Sequence, residues 1–153
     1  DTVMYAAESS RTTHATAHCV DACVVFAVLL HHALHGLDKQ AVLASADPWL
    51  EKMSSDIARI IQGSYRRKPA SAIHSSGYVV HTLEAALWAF FHTASLEEAV
   101  LLAANLGEDA DTVAAVTGQI AGAFYGADAI PEVWMETLHD AGGLREQARL
   151  LLR

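Results

Sequence analysis

The architecture is indicated first by the sequence ATAHCVDACVVFAVLLHHAL, which occupies residues 15–34. Between Ala22 and Leu30 every position is apolar, so no face of a helix formed there would suit water. A helix that is apolar all round is usually buried against several neighbours. Gly36 follows the segment and suits the left-handed C-terminal cap of a helix. We therefore expect a helix at residues 15–34, at the centre of the protein.

Helical signals continue on both sides of this segment. A capping box, Ser95-Leu96-Glu97-Glu98, predicts the start of one helix, and Asp47-Pro48 predicts the start of another that runs to Gly63. Apolar spacing predicts further helices over residues 78–91 and 112–125, and no segment shows the alternation of a strand. The sequence therefore predicts an all-α fold, with residues 1–153 forming a single domain.

Composition and charge narrow the class of protein. Charged residues make up only 18% of the chain and hydrophobic residues 52%, which favours a compact globular protein. The net charge of -8 argues against a nucleic-acid partner, because such binding depends on Lys and Arg contacts with phosphates. The apolar run over residues 20–30 is shorter than the ~20 residues that span a bilayer. We expect a cytoplasmic protein without a membrane segment, in which Cys19 and Cys23 are buried, reduced thiols.

Small residues form one face of the helix predicted over residues 112–125. Gly118, Gly122 and Gly126 recur every four residues, so this face carries almost no side-chain bulk. We expect another segment of backbone to approach it closely.

Chemistry is concentrated in the hexapeptide Gly107-Glu108-Asp109-Ala110-Asp111-Thr112. Asp109, Asp111 and Thr112 offer two carboxylates and a hydroxyl at the start of a helix, and such hard oxygen ligands suit Mg²⁺, Mn²⁺ or Ca²⁺. In a non-helical turn, the two carboxylates can converge on one point. The alternative is that an Asp simply caps the following helix, which is a favoured position for this residue. Spacing alone leaves both interpretations open.

The hexapeptide belongs to a longer run that resembles the C-terminal signature of the ADP-ribosylglycohydrolase family. The run is Asn105-Leu106-Gly107-Glu108-Asp109-Ala110-Asp111-Thr112-Val113-Ala114-Ala115, continued by Gly118, Ala121-Gly122-Ala123, Tyr125-Gly126, Ala129-Ile130-Pro131 and Trp134. Two earlier stretches fit the family in the same order: residues 10–14 with Asp21-Ala22-Cys23, and residues 75–80 leading into residues 82–88. The resemblance covers nearly the whole chain, but only the second half of the family's usual length.

The resemblance implies an orthogonal array of helices around a dinuclear site for Mg²⁺ or Mn²⁺. Asp109, Asp111 and Thr112 match the family's C-terminal metal ligands. His14, Ser75, Ser76, Gly77 and Tyr78 fall where the family contacts ADP-ribose. The Thr-Asp-Asp-Thr-like motif that completes the family's metal shell does not occur here, so we expect it and the catalytic residues in an N-terminal half, cropped, cleaved or on another chain.

The function implied for the complete protein is metal-dependent hydrolysis that releases ADP-ribose from a modified protein side chain or a small conjugate. Two alternatives remain open. One is a non-catalytic ADP-ribose-binding or structural member, as in certain eye-lens crystallins that resemble this family. The other is one subunit of a split enzyme whose partner chain carries the N-terminal half.

Overall fold

The computed structural model describes residues 1–151 and contains nine α-helices within them. These are α1 (Thr2–Arg11), α2 (Ala17–Leu34), α3 (Lys39–Ala44), α4 (Ser55–Ile61), α5 (Val79–His92), α6 (Leu96–Ala104), α7 (Ala110–Tyr125), α8 (Glu132–Thr137) and α9 (Ala141–Leu151). Short 3₁₀ segments connect several of them, at Asp47–Lys52, Ser64–Arg67, Ala70–Ala72 and Ala127–Ala129. The part of the chain described here has no strand, which confirms the all-α prediction.

The most completely buried helix is α5. Its nine consecutive residues 82–90 are all buried, and α5 packs against α2, α4, α6 and α7. Its buried polar groups have partners: the Glu84 carboxylate accepts from Lys68 Nζ at 2.7 Å, and Trp88 Nε1 donates to the Lys68 carbonyl at 2.9 Å. A buried charge is tolerated when it is paired in this way. Glu84 is therefore part of the structural core.

The segment expected at the centre, α2, is less buried than α5. It packs against α1, α3, α4, α5 and α7, yet Cys23 on its first half is exposed. By length and composition alone α2 would also suit a membrane span, with a mean hydropathy of 1.7 over 18 residues, a property that it shares with core helices. The expectation that no segment crosses a membrane stays a prediction.

Two local predictions are wrong. The segment from Asp47 to Gly63 is not one helix, because it divides into a 3₁₀ segment and α4, which begins at Ser55. The glycine face of α7 is not covered by backbone in the described residues: a Cβ added at Gly118 would meet only a Val100 side-chain carbon at 3.7 Å, and one added at Gly122 would meet nothing within 4 Å.

One pair of hydrogen bonds joins the loop before α5 to the loop before α7. The Ser75 hydroxyl donates to the Gly107 carbonyl at 2.6 Å, and the Asp109 N–H donates to the Ser75 carbonyl at 2.9 Å. Ser75 is only 2% exposed, so this link lies inside the protein. It sets the start of α7 against the start of α5.

We expect Ser75→Ala to lower the free energy of unfolding by about 1 kcal/mol, because the mutation removes the hydroxyl that donates to Gly107. Urea unfolding followed by circular dichroism measures this loss. Ser71→Ala is the matched control, since Ser71 is exposed in the same inter-helix segment. Equal unfolding midpoints for both variants and the wild type would show that the link does not stabilise the fold.

Candidate functional site

Asp109 occupies the N-cap position of α7, but its side chain does not cap the helix. It accepts no bond from a helix N–H; instead its Oδ1 accepts from the Thr112 hydroxyl at 2.9 Å. The simple capping interpretation therefore does not describe the Asp109 carboxylate. No ion pair in the described part of the chain neutralises Asp109 or Asp111.

The turn before α7 differs from the one expected. Since α7 begins at Ala110, Asp111 and Thr112 lie in its first helical turn and only Asp109 precedes the helix. The unusual backbone lies one step earlier, where Gly107 and Glu108 both have positive φ values, 81° and 52°. These two residues turn the chain so that the Asp109 N–H faces Ser75. Asp111 and Thr112 are both exposed, and negative side chains are stabilised at this end of a helix.

Gly77 lies directly against the Asp109 carboxylate. A Cβ built on Gly77 would be 3.2 Å from Asp109 Oδ2. That distance is shorter than nearly all real Cβ contacts, so a larger residue at position 77 requires the carboxylate to move. The absence of a side chain at position 77 therefore allows the carboxylate to lie where it does.

Ser76 and Tyr78 contact histidines next to the same loop. Ser76 Oγ is 2.8 Å from His81 Nδ1, and Tyr78 Oη is 3.0 Å from His18 Nδ1. Tyr78 is 43% exposed, whereas Ser75 is buried in its link to Gly107. Ser75 thus positions the loop, while the Tyr78 side chain reaches the surface.

His14 is held by the end of α1. Its N–H donates to the Ser10 carbonyl at 2.7 Å, and the buried Ser10 hydroxyl donates back to the His14 carbonyl at 2.9 Å. The His14 side chain remains exposed. Nothing in the sequence pattern singled out Ser10 for this anchoring role.

The segment around His14, the loop before α5 and the start of α7 border one cleft of about 520 Å³. We call it the His14–Tyr78 cleft; of the residues predicted from the sequence, it is lined by His14, Gly77, Tyr78 and Thr112. Asp109 adjoins it through Gly77 and Thr112. Ser75, Ser76 and Asp111 do not line the cleft. The structure therefore brings four of the eight predicted residues to one cleft, although they come from three separate segments of the chain.

The prediction of buried thiols is wrong. Cys23 is exposed, Cys19 is half-buried, and both line the His14–Tyr78 cleft together with Thr16. Their four-residue spacing predicts that the two thiols lie on one face of α2, the helix that follows His14. The direction of that face depends on how α2 packs, which no local pattern reveals.

Asp109, Asp111 and Thr112 form part of a cation site at most. Within residues 1–151, no three His, Cys, Asp or Glu side chains are grouped closely enough to hold a metal ion by themselves. The oxygen donors present nevertheless fit a hard divalent cation, since two carboxylates without a cationic side chain leave negative charge to be neutralised.

Comparison with known proteins shows which family the chain resembles. A family model described as ADP-ribosylglycohydrolase matches residues 1–153. A solved structure titled "ADP-ribosylglycohydrolase-related protein complex" is 41% identical in sequence and superposes with a TM-score of 0.85, over 92% of this chain and 49% of that one.

Two curated relatives carry names that state an activity. An ADP-ribosylarginine hydrolase, Tri1, of Pseudomonas putida is 46% identical over 127 residues, which are 83% of this chain and 33% of the relative. An ADP-ribosyl-[dinitrogen reductase] glycohydrolase of Rhodospirillum rubrum is 29% identical over 129 residues, 84% of this chain and 40% of the relative.

The chain thus spans between a third and a half of the length of these proteins, and its position in their C-terminal half stays a prediction. Its family, by contrast, is settled by the family model, the sequence identities and the superposed fold. The chain belongs to the ADP-ribosylglycohydrolase family.

Proposed function

We propose that this chain forms one wall of the active site of a hydrolase that releases ADP-ribose from modified arginine. One observation carries the proposal: His14, Gly77, Tyr78 and Thr112 line a single cleft, with Asp109 held against Gly77. Family membership and the names of the relatives, ADP-ribosylarginine hydrolase at 46% and 40% identity, support the substrate.

In this proposal, Asp109, Asp111 and Thr112 hold a divalent cation, Mg²⁺ or Mn²⁺, with further ligands from the rest of the complete protein. Oxygen donors of this kind favour those hard ions. When bound, the cation supplies Lewis-acid chemistry that orients ribose hydroxyls and lowers the pKa of a water molecule. The Thr112 hydroxyl, which donates to Asp109, keeps that carboxylate turned away from the N–H groups of α7.

The remaining residues of the cleft bind and orient ADP-ribose. Hydrolysis forms a bond between water oxygen and the anomeric carbon and breaks the bond from that carbon to the arginine nitrogen, which leaves with a proton. Holding the reacting groups in line accounts for much of the rate in such reactions. Tyr78 and His14 provide a hydroxyl and an imidazole on the cleft wall, and Gly77 leaves room beside Asp109.

A chimera tests the function in a complete protein. Residues 1–153 would replace the matching segment of the Pseudomonas putida relative, and release of ADP-ribose from ADP-ribosylarginine would be measured with and without Mn²⁺. We expect hydrolysis that depends on Mn²⁺. A folded chimera that binds ADP-ribose without hydrolysing it would instead favour the non-catalytic alternative.

The cation ligands are tested by Asp111→Asn in the 153-residue chain. We expect Mn²⁺ affinity to fall by at least about tenfold, a loss that even the removal of an outer-shell partner can cause. Helicity should be nearly unchanged, because residue 111 is a single exposed position in the first turn of the 16-residue helix α7. Calorimetric titration with Mn²⁺ measures the affinity. Asp128→Asn is the control, since it removes the same charge from an exposed 3₁₀ segment; equal affinities for both variants would contradict the assignment.

The position of Asp109 is tested by Gly77→Ala. The added Cβ would lie 3.2 Å from Asp109 Oδ2 and push the carboxylate away, so we expect weaker Mn²⁺ binding with little change in thermal stability. Gly142→Ala introduces the same group where nothing lies within 4 Å and should bind Mn²⁺ like the wild type. Unchanged Mn²⁺ affinity in Gly77→Ala would remove Asp109 from the proposed ligands.

A further inference from the structure

Tyr78 lines a second cleft as well as the His14–Tyr78 cleft. The second cleft has a volume of about 360 Å³ and a lining that includes Asp56, Arg59 and His81. Tyr78 is therefore the side chain that the two clefts have in common. The contacts of Tyr78 on the side of the second cleft decide whether its hydroxyl donates or accepts a hydrogen bond in the His14–Tyr78 cleft.

Two polar contacts lead from the second cleft to the Tyr78 hydroxyl: a close contact between Asp56 and His18, and a hydrogen bond between His18 and Tyr78. Asp56 Oδ2 is 3.4 Å from His18 Nε2, and His18 Nδ1 is 3.0 Å from Tyr78 Oη. The Asp56 carboxylate is held in turn by Arg59. His18 and Asp56 belong to the first turns of α2 and α4, and Tyr78 is the N-cap of α5, so three helix starts meet here.

When His18 is neutral, the Asp56 carboxylate favours one tautomer of its ring, and that tautomer sets the direction of the His18–Tyr78 hydrogen bond. A carboxylate 3.4 Å away favours the tautomer of His18 with its proton on Nε2, because a ring lone pair there would face negative charge. Nδ1 is then an acceptor, and the Tyr78 O–H must donate to it. Because its proton is used in the bond to His18, the Tyr78 oxygen can only accept a hydrogen bond from a ligand. It therefore favours a ligand hydroxyl, which can donate, and disfavours an anionic phosphate oxygen, which cannot.

The ring of Tyr78 is also confined. His81 packs edge-on against it at 5.2 Å between ring centroids, and the His81 Nδ1 atom lies 2.8 Å from Ser76 Oγ. His18 packs edge-on at 6.0 Å from another direction. Two histidines therefore restrict the orientation of the ring, and one of them sets the direction of its hydroxyl.

We propose that His18 and Asp56 are positioning residues that make the Tyr78 oxygen a hydrogen-bond acceptor for a hydroxyl of the ribose whose glycosidic bond is cleaved. This inference rests on the proposed function. We choose this ribose because of where Tyr78 lies. Its neighbour Gly77 contacts the Asp109 carboxylate, so Tyr78 is on the part of the cleft wall next to the proposed cation ligands.

The first experiment measures ligand affinity of the full chain at pH 8, by calorimetry, with ADP-ribose and with ADP as separate probes. Tyr78→Phe and His18→Leu should each weaken ADP-ribose about three- to tenfold, the effect of one hydrogen bond, and leave ADP unchanged. His18→Asn, which retains an acceptor near the position of Nδ1, should restore most of the affinity. The exposed His139 supplies the control, His139→Leu.

Non-additivity shows whether His18 acts through Tyr78. In the Tyr78→Phe background, His18→Leu should cause no further loss of ADP-ribose affinity, since the hydroxyl that it positions is already absent. Losses that multiply in the double variant would overturn the proposal. So would equal weakening of ADP and ADP-ribose, which is what a general loss of structure produces.

A second measurement needs no ligand and separates this proposal from the proposed function. With ¹³Cζ-labelled tyrosine, Asp56→Asn should shift the Tyr78 resonance in the wild-type background and leave it unshifted in His18→Leu. If Asp56→Asn does not shift the Tyr78 resonance, the positioning role is overturned even if ADP-ribose binds. Failure of ADP-ribose to bind, with the resonance responding as expected, overturns the proposed function and the ribose assignment instead.

Discussion

The site depends on the two hydrogen bonds between Ser75 and the loop that leads into α7. Ser75 and Gly107 are 32 residues apart in sequence, so no local preference brings them together. Their link places the start of α7, with Asp109, against the start of α5, with Gly77 and Tyr78. Because α5 is buried along residues 82–90, the position of its first turn is fixed by the core. The position of the carboxylates at the start of α7 therefore depends on α5, a different helix.

Sequence signals were most informative where the deciding contacts are local. Ser95 accepts from the Glu98 N–H at 3.1 Å, as the capping box predicts, because both partners lie within one turn of helix. The assignment of Asp109, Asp111 and Thr112 as cation ligands stays a prediction. The resemblance to a family added His14 and Tyr78, and the structure brings these two residues to the same cleft.

Features that depend on packing between distant elements were not predictable from local patterns. Both α2 and α5 are apolar, but only the assembled fold shows that α5 is the more enclosed and that Cys23 faces the cleft. The approach of Asp56 and His18 to Tyr78 joins the starts of α2, α4 and α5, which are separated along the chain by α3 and several 3₁₀ segments. Hydrophobic periodicity gives the buried face of a helix but not its neighbours.

Glu108 gives the loop before α7 an unfavourable local conformation. A non-glycine residue in the left-handed region, here with φ of 52°, costs about 1–2 kcal/mol. The hydrogen bonds that hold its neighbours Gly107 and Asp109 come from Ser75, outside the loop. An excised peptide containing the acidic cluster would therefore relax to another shape. The arrangement of the carboxylates therefore depends on contacts between the segment before α5 and the segment before α7, and not on the local sequence alone.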